Sequence, residues 1–262
     1  MTDLNSTDKF TQQEVLSVRH WQSPGLISIR VTRDPSFQFA PGQFARIGLR
    51  QNAQDLSAPP DLWRAYSMVS HPRENYLEFL SVTVPNGLFS PKLANLQAGD
   101  SLWVEKSPFG FLTLDRFSPA QTLWLVATGT GLSAYIPMLL DHKTWDNFES
   151  VVLVHGVRTE AELTYREDLE QLKATHGQFV YLPVLSQQTW QAQAQAPCRI
   201  TTAYQSGLLE AIAQQTLDPQ SSRIMLCGNP GMVTEMRSLL SEKGFAAGRR
   251  GNLGNLAVEN YW

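Results

Sequence analysis

A glycine-rich segment in the middle of the chain has the spacing of a loop that binds a dinucleotide. Gly129, Gly131 and Ala134 fit the pattern G-x-G-x-x-G/A directly after an apolar run at residues 123–127. In this pattern the first glycine permits a tight turn, the second lets a phosphate approach the backbone, and the small third residue allows close helix packing. The next helix offers free N–H groups to a pyrophosphate. Because such turns are often only structural, the position after a buried strand is what favours a dinucleotide site.

The strand that follows this loop, at residues 151–155, is succeeded by a basic side chain and not by an acidic one. Enzymes that use NAD usually place an acid near this point to bind the ribose 2′-hydroxyl. Arg158, with Arg166 and Arg199 further along, instead suits a 2′-phosphate, because a guanidinium binds phosphate bidentately. These residues favour NADP over NAD. The alternatives are three ordinary surface arginines, and an NAD ribose bound by Glu160.

A second strand–turn–helix signal is the segment that contains Cys227, Gly228, Asn229 and Pro230. It follows the last apolar run, at residues 223–227, and so falls at the carboxyl edge of the sheet, where ligands of such folds bind. At that edge Cys227 is expected to face a nicotinamide. The alternative is a small hydrophobic residue of the core.

Two further segments carry groups that suit a flat aromatic ligand. In the tetrapeptide Arg-Ala-Tyr-Ser at residues 64–67, the arginine can clamp a pyrophosphate, the tyrosine can stack on a ring, and the serine can bond a ring nitrogen or oxygen. Taken alone, it is more typical of a strand with an outward arginine. The chain also ends on Tyr261 and Trp262. Because chain ends are usually frayed and polar, this tail is expected to stack on a ligand or to fill a groove of the protein.

Short strands are predicted throughout the first half of the chain. Apolar and polar residues alternate between Leu26 and Thr32, which indicates a strand with one buried face. The predicted strands span residues 26–32, 43–49, 66–70, 77–84 and 101–105, with one helix at 90–96. Short strands separated by turn signals favour an antiparallel β-barrel.

Strands and helices alternate in the second half. Continuous apolar runs indicate strands covered on both faces, and this order favours an α/β doubly wound parallel sheet with right-handed crossovers. The strands are predicted at residues 123–127, 151–155, 179–185 and 223–227, and the helices from about 133, at 164–174, near 206–214 and at 232–243. A polar stretch at 115–121 contains a proline, so we expect one domain over residues 1–116 and another over 117–262.

The composition argues against several classes of protein. A net charge of −3 over 262 residues gives no reason to expect nucleic acid. Two cysteines are too few for an iron–sulfur cluster, which normally needs four thiolates, and no metal is expected. The polar N-terminus lacks the apolar core of a signal peptide, and no apolar run approaches the ~20 residues of a membrane span. We therefore expect a cytoplasmic protein with no membrane partner.

Five of these segments, taken in order, resemble motifs of the ferredoxin/flavodoxin–NADP(+) reductase family in its bacterial form. Residues 64–67 resemble the R-x-Y-S flavin motif, and residues 87–91, Gly-Leu-Phe-Ser-Pro, resemble the second flavin segment. Residues 128–131 resemble the pyrophosphate loop, and residues 227–230 resemble the C-G-x-P nicotinamide loop. Residues 258–262 resemble an aromatic tail that lies against FAD in one bacterial subgroup.

The resemblance implies an FAD-binding barrel of six antiparallel strands, an NADP(H)-binding sheet and a set of site residues. For FAD these are Arg64, Ala65, Tyr66, Ser67, Leu80, Leu88, Phe89, Ser90, Thr130, Tyr261 and Trp262, with Tyr66 and Tyr261 on opposite faces of the flavin. For NADP they are Gly129, Gly131, Arg158, Thr159, Gln187, Arg199, Cys227, Gly228, Asn229 and Pro230. The point of electron transfer would be lined by Ser67, Thr130, Cys227 and Glu259. Two positions depart from the family pattern: Leu80, where some relatives have an aromatic residue, and Gln187, where relatives often carry an arginine that aids 2′-phosphate selectivity.

The activity that the resemblance implies is transfer of a hydride from NADPH to the flavin and then of single electrons, reversibly, to ferredoxin or flavodoxin. We expect a monomer. Lys243, Arg249 and Arg250 are candidates for docking such an acidic partner, or an ordinary solvated charge cluster. The alternatives are an NAD(P)H-dependent reductase of free flavin or quinone, the reductase component of an oxygenase system, and a flavin-binding protein without catalytic activity.

Overall fold

Six antiparallel strands form the first unit of the fold, as predicted. The computed structural model describes residues 9–52, 59–190, 195–248 and 253–260. The strands are β1 (Phe10–His20), β2 (Leu26–Thr32), β3 (Phe44–Leu49), β4 (Leu62–Ser67), β5 (Tyr76–Val82) and β6 (Ser101–Glu105), in the order β4-β3-β6-β1-β2-β5. Beyond β4, Met68 bridges Phe79 and the Val69 N–H donates to the Glu78 carbonyl at 2.8 Å. The two edge strands therefore meet, and the barrel is nearly closed.

The barrel core is built by the alternation of apolar residues along its strands. Ile27, Ile29 and Val31 of β2 are buried as predicted, and they pack in one cluster with Val15. Strand β1 is absent from the sequence prediction, because a register shift after Val15 breaks the two-residue periodicity. The predicted helix at 90–96 is present as α1 (Ser90–Ala94).

A separate parallel sheet forms the second unit, with five strands among the described residues and not the four predicted. The strands are β7 (Thr122–Thr128), β8 (Ser150–Val157), β9 (Phe179–Leu185), β10 (Ser222–Gly228) and β11 (Leu256–Asn260), in the order β11-β10-β7-β8-β9. The additional strand, β11, pairs with β10 in parallel. Most of the C-terminal tail is thus an edge strand, while Tyr261 and Trp262 lie outside the described residues.

Helices cover both faces of this sheet, which confirms the doubly wound arrangement. They are α2 (Ile136–Leu139), α3 (His142–Asn147), α4 (Arg166–Thr175), α5 (Ile200–Gln205), α6 (Leu208–Ala213) and α7 (Pro230–Glu242). The helix expected from about 133 is instead a 3-10 turn at Gly129–Ala134 followed by the single turn α2. Pro137 has no N–H to donate to the Ser133 carbonyl, so a continuous α-helix cannot form there. The helix expected near 206–214 is present as α6 (Leu208–Ala213), which Gly207, with a φ of +75°, separates from α5.

The two units share buried contacts. Leu26 and Leu80 of the barrel belong to the same hydrophobic cluster as Leu132 and Tyr135 of the second unit. The Tyr165 hydroxyl donates to Glu78 Oε1 at 2.8 Å across the interface. In the ranges that the structure describes, no helix combines the length and the apolar character needed to cross a membrane.

Candidate functional site

A concave site lies at the edge of the sheet where the strand order reverses, between β7 and β10. The connections leave these two strands in opposite directions, and such a switch point opens a crevice at the carboxyl ends of the strands. A cavity of about 820 Å³ occupies this position. Of the predicted nucleotide residues, it is lined by Gly129, Thr130, Arg158, Arg199, Gly228 and Asn229. The cavity therefore brings these six residues together at one edge of the sheet.

The glycines of this crevice fit it for two different reasons. Gly129 has a φ of +52° and open space where a Cβ would lie, which suits a turn beside a ligand. A Cβ on Gly131 would lie 2.5 Å from the Cys227 carbonyl oxygen, so the close approach here is to the protein's own backbone. Gly228 has a φ of +130°, and its Cβ would lie 2.3 Å from Thr128 Oγ1. Gly131 and Gly228 thus let the end of β7 and the turn after it pack closely against the end of β10.

Thr128 and Asn229 fasten the two sides of the crevice, and Thr128 has no role in the sequence prediction. The Asn229 N–H donates to Thr128 Oγ1 at 2.7 Å. The Asn229 side chain caps α7 by accepting from the Gly231 and Met232 N–H groups at 2.9 and 3.2 Å. Pro230 occupies the first turn of that helix, where its missing N–H costs nothing. Cys227, just before this cap, is fully buried.

His155 supports the glycine loop from below and is also absent from the sequence prediction as a site residue. It is fully buried on β8, and its Nε2 lies 3.2 Å from the Gly129 carbonyl oxygen. Burial lowers the pKa of His155 to about 4, so the imidazole is neutral at pH 7 and Nε2–H can donate to that carbonyl. The side chain therefore fixes the peptide that opens the loop.

At the basic end of the cavity, some of the arginines predicted for the 2′-phosphate are paired with glutamates. Arg158 is ion-paired with Glu162: its Nε donates to Glu162 Oε1 at 2.6 Å, and its Nη2 lies 2.5 Å from the same oxygen. Arg199 precedes α5, and its side chain has no hydrogen bond or ion pair to any residue that the structure describes. Gln187 is exposed. It lies beside Arg158, since its backbone N–H donates to the Arg158 carbonyl at 2.9 Å. Arg166 is instead ion-paired with Glu160, so both members of that pair are already partnered.

On the barrel, Tyr66 offers a ring in a fixed orientation. Its hydroxyl lies 3.1 Å from Ser81 Oγ, and its ring contacts those of Phe79 and Phe89. Burial raises the pKa of Tyr66, so the phenol is neutral. Arg64 on the same strand is exposed, and its guanidinium donates to the Trp63 carbonyl at 2.7 Å.

In the second flavin-like segment, residues 87–91, some of the side chains predicted to bind FAD are exposed and others are buried. Leu88 is 59% exposed, whereas Phe89 is 3% exposed and packs in the barrel core. Ser90 Oγ accepts from the Val84 N–H at 2.9 Å and so holds the preceding turn. Leu80 is also buried. A ligand of this segment would meet the Leu88 side chain and the backbone of the other residues.

Glu259 joins the two candidate sites. It lies beside Cys227 in the pairing of β11 with β10, and its Oε2 is 3.0 Å from the position of a Cβ on Gly110 of the barrel. The same position is 2.9 Å from the ring of Phe44, which pairs with Ser67 in β3–β4. Three of the four residues predicted for electron transfer, Ser67, Cys227 and Glu259, are thus brought to one region.

The carboxyl group of Glu259 is unusual in its burial. Its Oε1 is buried without a hydrogen-bond partner among the described residues, and burial raises its pKa to about 7. Nearby Tyr135 is fully buried and donates to the Val126 carbonyl at 3.2 Å. Its own pKa is raised by burial and by the charges of Cys227 and Glu259. A carboxyl group in this state can exchange a proton at neutral pH.

Of the three cations predicted to dock a partner, only Lys243 is among the described residues. Lys243 lies 3.8 Å from Glu210 Oε2 and over the ring of Tyr204. Arg249 and Arg250 lie outside the described residues.

Comparison with known proteins places the chain among flavin-dependent reductases. Residues 125–238 match the family described as the oxidoreductase NAD-binding domain. The chain is 37% identical to ferredoxin–NADP reductase A of Sorangium cellulosum, over 95% of this chain and 89% of that protein. It is 36% identical to the flavodoxin/ferredoxin–NADP reductase of Escherichia coli, over 95% and 97% of the two chains. A crystal structure of a ferredoxin NADP+ reductase from Neisseria gonorrhoeae with bound FAD and NADP superposes with a TM-score of 0.88 at 30% identity, covering 97% and 99% of the chains.

Proposed function

The chain belongs to the ferredoxin–NADP reductase family, and on that premise we propose that it is an FAD-dependent oxidoreductase that passes electrons between NADPH and ferredoxin or flavodoxin. The observation that carries the proposal is that Glu259, at the sheet edge beside Cys227, lies next to Gly110 of the barrel, with its Oε2 3.0 Å from where a Cβ on Gly110 would be. Through it, a flavin site on β4 and a nicotinamide site on the sheet adjoin. Reduction of free flavin or quinone, or service to an oxygenase, is not favoured, since the similar proteins are named for ferredoxin and flavodoxin.

The barrel residues fit an FAD. Tyr66 has a ring already oriented by Phe79, Phe89 and Ser81, which suits stacking on an isoalloxazine. The exposed guanidinium of Arg64 suits a pyrophosphate. We assign the remaining contacts to Ala65, Ser67, Leu80, Leu88, Phe89, Ser90 and Thr130, with Tyr261 and Trp262 from outside the described residues.

The crevice fits an NADP(H). Its open space at Gly129 suits a pyrophosphate. Arg158 and Arg199 supply the two positive side chains among the cavity's described lining residues, and we assign them to the 2′-phosphate. We assign Gly131, Thr159, Gln187, Gly228, Asn229 and Pro230 to the same nucleotide, and Cys227 to the nicotinamide end.

FAD, when bound, supplies the exchange between the two-electron chemistry of nicotinamide and the one-electron chemistry of the partner. The chain's own residues hold the reactants and manage protons. Ser67 and Thr130 offer hydroxyl groups at the meeting point, and the buried Cys227 keeps water from it. Glu259, with a pKa near 7, holds a proton at one carboxyl oxygen in part of the molecules at neutral pH and releases it in the rest.

We further propose that the two units divide between residues 116 and 117, that the protein is a monomer, and that it prefers NADPH to NADH. The steady-state test of the function compares NADPH oxidation with flavodoxin or ferredoxin, with free FMN and with ferricyanide as acceptors. Efficient turnover with a protein acceptor at micromolar concentration supports the proposal. Turnover with free FMN alone, at a rate that flavodoxin and ferredoxin do not reach, would exclude it.

A further inference from the structure

Among the residues that the structure describes, the side chain of Glu162 makes hydrogen bonds only to Arg158. Its Oε1 accepts from Arg158 Nε at 2.6 Å and lies 2.5 Å from Nη2, and its Oε2 accepts from the Arg158 backbone N–H at 2.9 Å. The side chain of Glu162 is 14% exposed, whereas that of Arg158 is 64% exposed. The carboxylate is therefore part of the wall, and the arginine projects from it.

This contact fixes one edge of the Arg158 guanidinium and leaves the other edge available. The edge formed by Nε and Nη2 faces Glu162. Within the described part of the chain, no acceptor is bonded to Nη1. A guanidinium edge with two N–H groups matches two oxygens of a phosphate. Because a free arginine side chain loses rotamer entropy when it is fixed, an arginine that is already held binds a phosphate with a smaller loss.

The position of the pair matters because the cavity has few cations. Glu162 and Arg158 both line it, together with Arg199 and the second acid Glu235. Gln187, whose N–H bonds the Arg158 carbonyl, adds no charge. The recognition of a phosphate at this end therefore depends on two arginines, and only Arg158 is held by a carboxylate.

We infer that Glu162 is a positioning residue for the 2′-phosphate of the nucleotide and acts entirely through Arg158. The inference rests on the proposed function. A carboxylate near a phosphate also repels it, but this charge is paired with the guanidinium that it holds, and both of its oxygens accept hydrogen bonds from residue 158. Orientation of Arg158 therefore outweighs repulsion.

The test uses the FAD-loaded enzyme and calorimetric binding of two probes, 2′,5′-ADP and 5′-AMP, which differ only in the 2′-phosphate. Glu162→Gln keeps the size of the side chain but places an amide N–H₂ against a donor of Arg158. It should weaken 2′,5′-ADP binding about tenfold, the size of one lost hydrogen bond to a charged group, and leave 5′-AMP binding within about twofold. In an Arg158→Ala background the same change should have no further effect.

Two more variants keep the result interpretable. Glu162→Asp retains the charge and one oxygen contact and should restore part of the loss. Glu170→Gln removes an exposed carboxylate that pairs with Lys173 on α4 and should bind both probes like the unmodified enzyme. Tighter binding of 2′,5′-ADP by Glu162→Gln, an equal loss for both probes, or an equal loss without Arg158 would each overturn the inference. Failure of the proposed function would show instead in the unmodified enzyme, as flavin that NADPH does not reduce.

Discussion

Substitution of Gly131 tests the packing of the crevice directly. A Cβ at this position would lie 2.5 Å from the Cys227 carbonyl oxygen, 2.7 Å from its carbonyl carbon and 3.0 Å from the Gly228 Cα. All three atoms belong to the backbone and cannot move aside as a flexible side chain would. Ordinary contacts begin at 3.4 Å, so Gly131→Ala must move the 3-10 turn that contains Gly131 away from the end of β10 by most of the missing ~0.9 Å, as overpacking of a tight core does.

Overpacking of this kind typically costs about 1–3 kcal/mol. In a chain of this size each kcal/mol lowers Tm by about 2–4 °C, so the cost of Gly131→Ala should lower Tm by about 2–12 °C. Since Asn229 is bonded to Thr128 across the same gap at 2.7 Å, nucleotide binding should weaken as well. Thermal unfolding by circular dichroism and calorimetric titration with 2′,5′-ADP measure the two effects.

Two glycines provide matched controls. Gly177 has open space around a Cβ and no unusual φ, so Gly177→Ala should change stability by less than about 0.5 kcal/mol. Gly129 has equal space but a φ of +52°, so Gly129→Ala should cost about 1–2 kcal/mol through backbone strain alone. A Gly131→Ala protein with the Tm and the nucleotide affinity of Gly177→Ala would refute the reasoning.

Three other changes have defined outcomes. Gln187→Arg adds a cation beside Arg158 and should raise the ratio of kcat/KM for NADPH over NADH by about five- to tenfold, as measured by steady-state kinetics; an unchanged ratio would contradict the placement of the 2′-phosphate. Burial raises the pKa of Glu259 to about 7. Below the pKa of the unfolded chain, the protonated carboxyl group contributes fully to the stability of the folded state. As the pH rises through about 7, the unfolded chain is already ionised and that contribution is lost. Glu259→Gln should therefore gain stability relative to the unmodified protein between pH 5 and pH 8 in urea unfolding, and a gain independent of pH would refute the assignment. Tyr165→Phe removes the 2.8 Å hydrogen bond to the buried Glu78 and should cost about 1–3 kcal/mol in the same assay, whereas an unchanged free energy of unfolding would show that the bond does not stabilise the interface.

Local periodicity was enough to predict many elements of the fold. The strands β2, β6 and β9 have the predicted bounds, because each carries an uninterrupted alternating or apolar pattern. Strand β1 was not predicted, since its bulge after Val15 interrupts the pattern. Strand β11 was not predicted either, because its five residues carry no clear strand pattern and are held in a strand by pairing with β10.

The candidate site was predictable where a motif is contiguous and unpredictable where distant segments meet. The glycine loop and the Cys-Gly-Asn-Pro turn are local patterns, and the cavity brings them together. No local pattern indicates that Glu259 lies beside Gly110 of the other unit, that His155 supports the loop from a neighbouring strand, or that Glu162 holds Arg158. These contacts depend on strand order and on side-chain direction, which are fixed only in the folded chain.

The proposed function requires that the flavin site and the nicotinamide site adjoin at Glu259. The most direct measurement mixes the FAD-loaded enzyme anaerobically with NADPH in a stopped-flow spectrophotometer and follows the absorbance of oxidised flavin. If the two sites adjoin, this absorbance is lost within the time of one catalytic turnover, and it is lost faster with NADPH than with NADH. Flavin that stays oxidised in the presence of NADPH, yet is bleached by dithionite, would contradict it.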